Sequence, residues 1–365
     1  MNDKKTGLEV FLSVILSISV LCGTIFFSDE LVGVISNFTL GAVTVFSGVD
    51  NLKKDNSKKN SQNNITGFGN SFVADVDAVD TKTPEDIENL MKEAVEAYAS
   101  FAKTGDIDET TLSATSTTIN YGNVVINNKT STKSVDIKKE VSKTASFGNI
   151  TKDEPYILVY HTHTTEGYEL LDKGWYSDEY ISRTKELNKT VVRVGEEIVS
   201  RLEKAGFKVI HDKTIYDANY NGAYSRSLKT VEKILKENPS IVITLDVHRD
   251  AIEYSDGTKC KPTAKINGKK AAQVMIITGA EEGDIENYPD WEKNLTFAIA
   301  LQNKVEENYK GLMRPVFFCQ RKYNMHVTPC SLLLEMGTDA NTLEEAVYSG
   351  RLIGDSLAEL LEENM

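Results

Sequence analysis

The sequence predicts an α/β fold: a doubly wound, mostly parallel sheet with helices on both faces, preceded by a membrane anchor and a small α+β module. Three observations carry that prediction. From Pro155 onward, short aliphatic runs alternate with amphipathic helical patterns over ~210 residues, as strand–helix repetition in a parallel sheet requires. Leu8 to Phe27 is apolar and carries a single charge, Glu9, at its very start. Between these regions lie one strong helical pattern and several stretches rich in Thr, Val and Asn.

Leu8 to Phe27 is long enough to cross a ~30 Å hydrocarbon core. Lys4 and Lys5 precede it and Asp29 and Glu30 follow, so the positive-inside rule puts the N-terminus in the cytoplasm and the rest outside. No small-residue cleavage site follows, which favours an uncleaved anchor over a signal peptide. Leu31 to Val49 is a second apolar stretch, either a second span or a membrane-apposed segment. Residues 1–49 therefore read as the anchor region. Residues 50–82, with Lys, Asn, Ser and Asp in excess over Asp50 to Asn70, read as a flexible polar stalk.

Thr83-Pro84-Glu85-Asp86 opens a helix, with Pro in the first turn and acids at the positive end of the dipole. It is expected to reach about Ala102 and to bury Ile87, Leu90, Met91, Ala94, Val95, Tyr98 and Phe101. Short strands follow, for example Thr118 to Tyr121 and Val124 to Ile126. Residues 83–150 thus form the small module, or an edge extension of the main domain at 151–365. In that domain Lys189 to Lys204 is helical and stops at Ala205-Gly206. Phe207 to Ile210, Ile241 to Leu245, Gln273 to Ile277 and Pro315 to Cys319 read as strands, and Tyr224 to Lys236 and Asn294 to Tyr309 as helices. Asn341-Thr342-Leu343-Glu344 reads as a capping box in its Asn variant, opening a last helix to about Glu362.

The net charge of −13 argues against nucleic acid as a partner, since nucleic-acid surfaces are basic. The four cysteines, at 22, 260, 319 and 330, show no metal-type spacing. The chemistry lies at three strand ends. Tyr156 to Tyr160 runs into His161-Thr162-His163-Thr164-Thr165-Glu166, Ile241 to Leu245 into Asp246-Val247-His248-Arg249-Asp250, and Ser331 to Leu334 into Glu335-Met336-Gly337. Active sites of open α/β sheets lie at the carboxyl ends of strands. Imidazoles and a carboxylate delivered there are the inventory of a zinc site with its general base.

On a continuing strand, His161 and His163 would place both rings on one side, suited to a shared metal. A single histidine at a strand end more often only satisfies local hydrogen bonds. Several such groups at one rim are hard to explain as packing, because buried charge needs a partner. Glu335 would be the general base, Arg249 a bidentate contact for a substrate carboxylate, and Asp246 or Asp250 an acceptor holding the His248 ring. Tyr220, Tyr224 and Arg226 form a polar aromatic cluster suited to sugar or peptide contact. His211 reads as structural, and His326 sits in a polar loop with Tyr323 and Asn324.

These residues resemble the stage II sporulation protein P family of spore-forming Firmicutes. The matching strings are His161 to Tyr168, Val191 to Glu196, Tyr220 to Tyr224, Asp246 to Asp250, Pro289-Asp290-Trp291 with Asn294, and Leu334 to Gly337 with Asn341-Thr342. The resemblance implies a membrane-anchored hydrolase of septal peptidoglycan acting during forespore engulfment. Its activity would be that of an N-acetylmuramoyl-L-alanine amidase, with associated endopeptidase action. Implied partners are stage II sporulation protein D and stage II sporulation protein M; the implied place is the cell membrane, with the catalytic domain outside the mother-cell cytoplasm. The implied fold is similar to zinc-dependent cell-wall amidases, with Zn²⁺ as cofactor. In that pattern His163, His248 and Glu335 take three of the four site roles. The fourth, a metal-binding Glu at a helix start, falls on Asn188, a poor zinc ligand. Glu166 or His161 would complete the set, Glu166 being favoured because carboxylates ligate zinc routinely. The rival readings are a wall-binding scaffold without catalysis and a zinc carboxypeptidase or endopeptidase without amidase action.

Overall fold

A computed structural model describes residues 80–180 and 182–365. The expected anchor and most of the expected stalk lie outside the described residues. Among the described residues, no helix is long and apolar enough to cross a membrane.

Among the described residues, the larger of two sheets has eight strands in the order β2 (Ile119–Tyr121), β3 (Val124–Asn128), β11 (Val316–Cys319), β10 (Val274–Gly279), β12 (Cys330–Thr338), β7 (Ile243–Asp250), β4 (Pro155–Tyr160) and β6 (Lys208–His211). All neighbours run parallel except β2–β3 and β10–β12. The three strands that carry the candidate chemistry, β12, β7 and β4, are adjacent and parallel, so their C-terminal ends share one rim.

Side-chain alternation sorts the sheet into two faces. Ile157 and Val159 of β4, Leu245 and Val247 of β7, and Leu332 and Leu334 of β12 enter the main core. There they meet α3 (Val191–Lys204), α5 (Trp291–Asn308) and α6 (Leu343–Glu362) through residues such as Ile198, Phe297 and Leu352. Leu158 and Tyr160 belong to a smaller cluster with Val231 of α4 (Ala223–Glu237) on the opposite face, and Leu333 lies under Tyr288 and Met325. Asp246, His248 and Glu335 fall in the alternation of this second face.

Residues 83–150 are woven into the same body. Ile87, Leu90, Ala94 and Tyr98 of α1 (Glu85–Tyr98) and Ile137 of α2 (Ile137–Val141) lie in the main core. β2 and β3 extend the large sheet, while β1 (Gly105–Thr110) joins β5 (Trp175–Tyr176), β8 (Lys259–Ile266) and β9 (Lys269–Ala272) in a second sheet of order β5-β1-β8-β9. The expectation of a single sheet missed this second one. Lys259-Cys260-Lys261-Pro262 carries charge and Pro where a strand pattern wants neither.

Other boundaries also shift. α1 ends at Tyr98 rather than near Ala102, and Val95, expected inside, is 58% exposed. The capping box belongs to Thr342 and Glu345, one residue later than read from the sequence. Asn341 is engaged elsewhere: its Oδ1 accepts from Thr338 N and its Nδ2 donates to the Pro262 carbonyl.

Candidate functional site

The chain leaves β4 at Tyr160 and turns at once. Asp246, fully buried on β7, shapes that turn: its carboxylate accepts from Thr162 N at 2.8 Å and Thr162 Oγ1 at 2.7 Å. Thr164 Oγ1 donates to the His161 and Thr214 carbonyls, both at 2.8 Å. This turn breaks the two-residue alternation, so His161 and His163 do not share a metal as expected from an extended strand. His161 keeps β4's alternation and lies against Gly195 of α3. His163 crosses to the face occupied by Asp246 and His248.

Register sets the rest. Across β12 and β7, Glu335 is paired with His248, and across β4 and β7, Tyr160 with Asp246. A register shift follows between Glu335 and Thr338, around Gly337 at φ 78°. A Cβ at Gly337 would lie 2.7 Å from Asn341 Oδ1 and 2.8 Å from Ala272 Cβ, so the bulge requires glycine on both counts.

His163 and His248 meet edge to face, ring centroids 5.3 Å apart. His248 lies between two carboxylates, Nε2 2.9 Å from Asp246 Oδ1 and Nδ1 3.3 Å from Glu166 Oε2. Burial opposes its charge, but those carboxylates outweigh burial and hold its pKa well above the usual imidazole range. Glu166 is the counterpart. Burial raises its pKa, but the hydrogen bond and charge of His248, with His163 and Arg249, hold the carboxyl well below the usual range. Its oxygens also accept from Arg183 Nη2 at 3.1 Å and Arg249 N at 3.2 Å. Glu335 has a buried Oε2 with no hydrogen-bond partner. Burial, with Asp250 and Glu166 adding repulsion, pushes its carboxyl up to about 8.

His161 is of another kind. Its Nδ1 lies 2.9 Å from the Val247 carbonyl and its Nε2 2.8 Å from His211 Nε2. The carbonyl can only accept, so Nδ1 carries the proton and Nε2 accepts from His211. Burial pushes His161 down to about 4 and His211 to about 2, as a neutral pair requires. Both His161 nitrogens are therefore occupied, which removes it from the candidate ligand set.

The expected substrate contacts divide. Tyr224 stacks on Tyr323 at 5.2 Å and lies parallel to His248 at 6.3 Å, inside the site. Tyr220, 54% exposed, stacks on His163 at 4.6 Å. Arg249 does not present a free fork: Nε donates to the Gly167 carbonyl at 2.7 Å, and its other nitrogens reach the Asp250 carbonyl and Ser182 Oγ. Arg226 likewise donates to the Tyr216, Asn219 and Asn221 carbonyls and staples the loop before α4. Asn188 sits exposed in a short 3₁₀ turn, Leu187–Lys189. His326 keeps a buried Nδ1 without a partner, and burial pushes it down to about 4. Two participants were not read from the sequence. Asp217 lies 3.8 Å from His163 Nδ1, and Arg183 bridges Asp217 and Glu166 at 3.0 and 3.1 Å. Neither sits in a periodic pattern or at a strand end, so no sequence signal marked them.

Chemically, the donor types gathered here, imidazoles and carboxylates, are those zinc takes. His163 and His248 are buried imidazoles, each with one nitrogen that makes no well-directed hydrogen bond and a carboxylate standing beside that nitrogen. His248 held as an imidazolium between two acids is a place where a bound cation could replace a proton. Among the described residues, the group whose ligating atoms all lie within 4.8 Å of one another is a different one, Glu109, Asp172 and Glu345. That knot already holds its cation: buried Lys261 Nζ is 2.8 Å from Asp172 and Glu345 and 3.3 Å from Glu109.

The family model described as Stage II sporulation protein P matches residues 53–358. The chain belongs to that family. A stage II sporulation protein P of Bacillus subtilis (strain 168) is 30% identical over 222 residues, a match covering 58% of this chain and 52% of that protein. The chain thus spans about half the length of the curated relative it matches. Similar solved structures include the N-acetylmuramoyl-L-alanine amidase AmiC2 of Nostoc punctiforme, at 11% identity and a TM-score of 0.33, over 57% of this chain and 96% of that one. Another is the N-acetylmuramoyl-L-alanine amidase from Clostridium difficile 630, at 18% identity and a TM-score of 0.31, over 58% and 95%. Across the family match, this member of the stage II sporulation protein P family carries all three strand ends and both candidate imidazoles.

Proposed function

We propose that this chain is a zinc-dependent N-acetylmuramoyl-L-alanine amidase that degrades septal peptidoglycan during sporulation, with endopeptidase action on stem-peptide cross-links as a second activity. The observation that carries the reading is the gathering of His163, His248, Glu166 and Glu335 from separate stretches of chain at one rim, with unpartnered buried atoms on three of them. Membership of the sporulation family supports the biological setting.

His163, His248 and Glu166 would hold the zinc, which when bound supplies a Lewis acid that polarises an amide carbonyl and acidifies water. Glu335 then works as proton carrier. Its carboxyl, pushed up by burial and neighbouring acids, would be drawn back toward ionisation by a nearby cation, which poises it to take a proton from water and return it to the departing amine. Tyr224 and Tyr220 wall the approach and offer flat faces to a sugar or peptide. The low local polarity strengthens each of these interactions.

In this reading the chain is held in the cell membrane by Leu8 to Phe27, with its catalytic part outside the mother-cell cytoplasm, and acts with stage II sporulation proteins D and M in engulfment. Mass spectrometry of sacculi digested with the purified protein and zinc tests the core of it. Release of stem peptides with free L-Ala amino termini is expected. Binding without release would leave a scaffold, and cleavage only within stem peptides would leave an endopeptidase.

A further inference from the structure

Each imidazole of the site has a buried carboxylate of its own. Asp246 Oδ1 stands 2.9 Å from His248 Nε2 without a well-directed hydrogen bond to it. The corresponding group for His163 is Asp217, which no strand end supplies. We propose that Asp217 is the positioning residue for His163: it accepts the Nδ1 proton, fixes the tautomer, and leaves the Nε2 lone pair for a cation. The proposal rests on the reading of this rim as a metal site.

Four observations support it. Asp217 is buried, and its carboxylate is itself held, by Thr165 Oγ1 at 2.6 Å, Thr165 N at 3.1 Å and Arg183 Nη1 at 3.0 Å. It is therefore aimed before any ligand arrives. His163 Nδ1 is buried and has no other partner, and Asp217 Oδ2 is 3.8 Å away. The loop that carries Asp217 also carries Tyr220, whose ring stacks on His163 at 13° from parallel. The loop thus grips the imidazole by edge and by face, and the three carbonyl contacts of Arg226 pin the loop itself. Finally, Arg183 joins Asp217 to Glu166, so the carboxylate behind His163 and the one beside His248 are oriented by one guanidinium. A carboxylate behind a ligating histidine fixes ring and tautomer and raises its basicity, and losing it typically weakens metal binding about 10–100-fold.

Two measurements on the purified protein test this. Long-range ¹⁵N–¹H spectra of the metal-free protein report the His163 tautomer directly, with His163→Gln assigning the signal. The Nδ1–H form is expected in the unsubstituted protein and its loss in Asp217→Asn. Competition with a chromophoric chelator reports zinc affinity, expected to fall about 10–100-fold in Asp217→Asn while the folding transition stays in place. An Nε2–H tautomer in the unsubstituted protein overturns the proposal even if the variant does not fold. Unchanged zinc affinity in a folded Asp217→Asn overturns it as well. An unsubstituted protein that shows the Nδ1–H form but binds no zinc would confirm the hold of Asp217 on His163 and sink the metal reading instead.

Discussion

His161 and His163 leave the same strand two residues apart and end in opposite environments. His161 lies under α3 with no carboxylate in contact, both nitrogens satisfied by Val247 and His211, and is neutral. His163 lies across the sheet beside His248, with Asp217 near it and Nδ1 unpartnered. Each is one of a pair of imidazoles, His161 with half-buried His211 and His163 with buried His248. What separates them is whether a carboxylate stands within ion-pair distance of the ring. An imidazole buried without carboxylates discards its proton and becomes packing, whereas one buried among them keeps a charge or an unused nitrogen. Incomplete satisfaction in a folded interior marks His163 and His248 as the candidate functional pair.

The sharpest way to break this contrast is metal retention. His163→Ala and His248→Ala are expected to abolish zinc binding, while His161→Gln and His211→Gln retain about one zinc per chain by elemental analysis. Zinc loss in His161→Gln with the fold intact would erase the distinction and restore the histidine pair as ligands.

Next in size is Glu335→Gln. It keeps volume and most hydrogen bonds but cannot accept a proton. Turnover on purified wall should fall about 10²–10⁴-fold, with zinc and wall binding retained. A rate near that of the unsubstituted protein would rule out the base role, and loss of zinc would make Glu335 a ligand.

The packing pair makes a prediction of its own in pH. Its folded pKa values, about 4 for His161 and about 2 for His211, lie below the unfolded value near 6.5. Between those limits the unfolded chain binds more protons than the native one. Stability from the pair is therefore complete above pH 6.5 and lost as pH falls toward 4, with His211 extending the loss below that. At 1.36 kcal/mol per unit, His161 alone accounts for about 3 kcal/mol. Urea midpoints at pH 7 and pH 4.5 should differ less in His161→Gln/His211→Gln than in the unsubstituted protein. Equal differences would show that the pair is not neutral.

The smallest effect expected is at Gly195. A Cβ there would lie 2.7 Å from His161 Cε1 and 2.9 Å from its Nε2. Gly195→Ala should cost about 1–3 kcal/mol by overpacking, against up to ~1 kcal/mol gained in helix propensity. Zinc affinity should be unchanged. Weakened zinc binding would mean that the two faces of the sheet are coupled.

Much of the molecule was readable in the chain. Composition and periodicity located α3, α4, α5, α6 and most strands of the large sheet, because burial on one face writes a 3.6 or near-continuous apolar pattern into sequence. The three strand ends were legible because an aliphatic run that stops abruptly at imidazoles and carboxylates marks where a buried strand emerges at its rim. The second sheet was not, since β8 is held partly by the buried ion-pair knot around Lys261 and carries Pro262. Arg249 and Arg226 were misjudged for a related reason. A guanidinium in sequence looks available, and only the surrounding carbonyls show that it is taken.

The sequence by itself determined the class of fold, the strand ends that hold His163, His248 and Glu335, and the family. Those features depend on local pattern and on residue type. Tertiary structure decided the division between the two histidines, the assignment of Asp217 and Arg183 to the site, and the placing of Glu335 beside His248. Each of these depends on which chain segments meet and where a strand turns. The turn after Tyr160 is imposed by Asp246, more than eighty residues away, and no periodicity in either segment carries that contact.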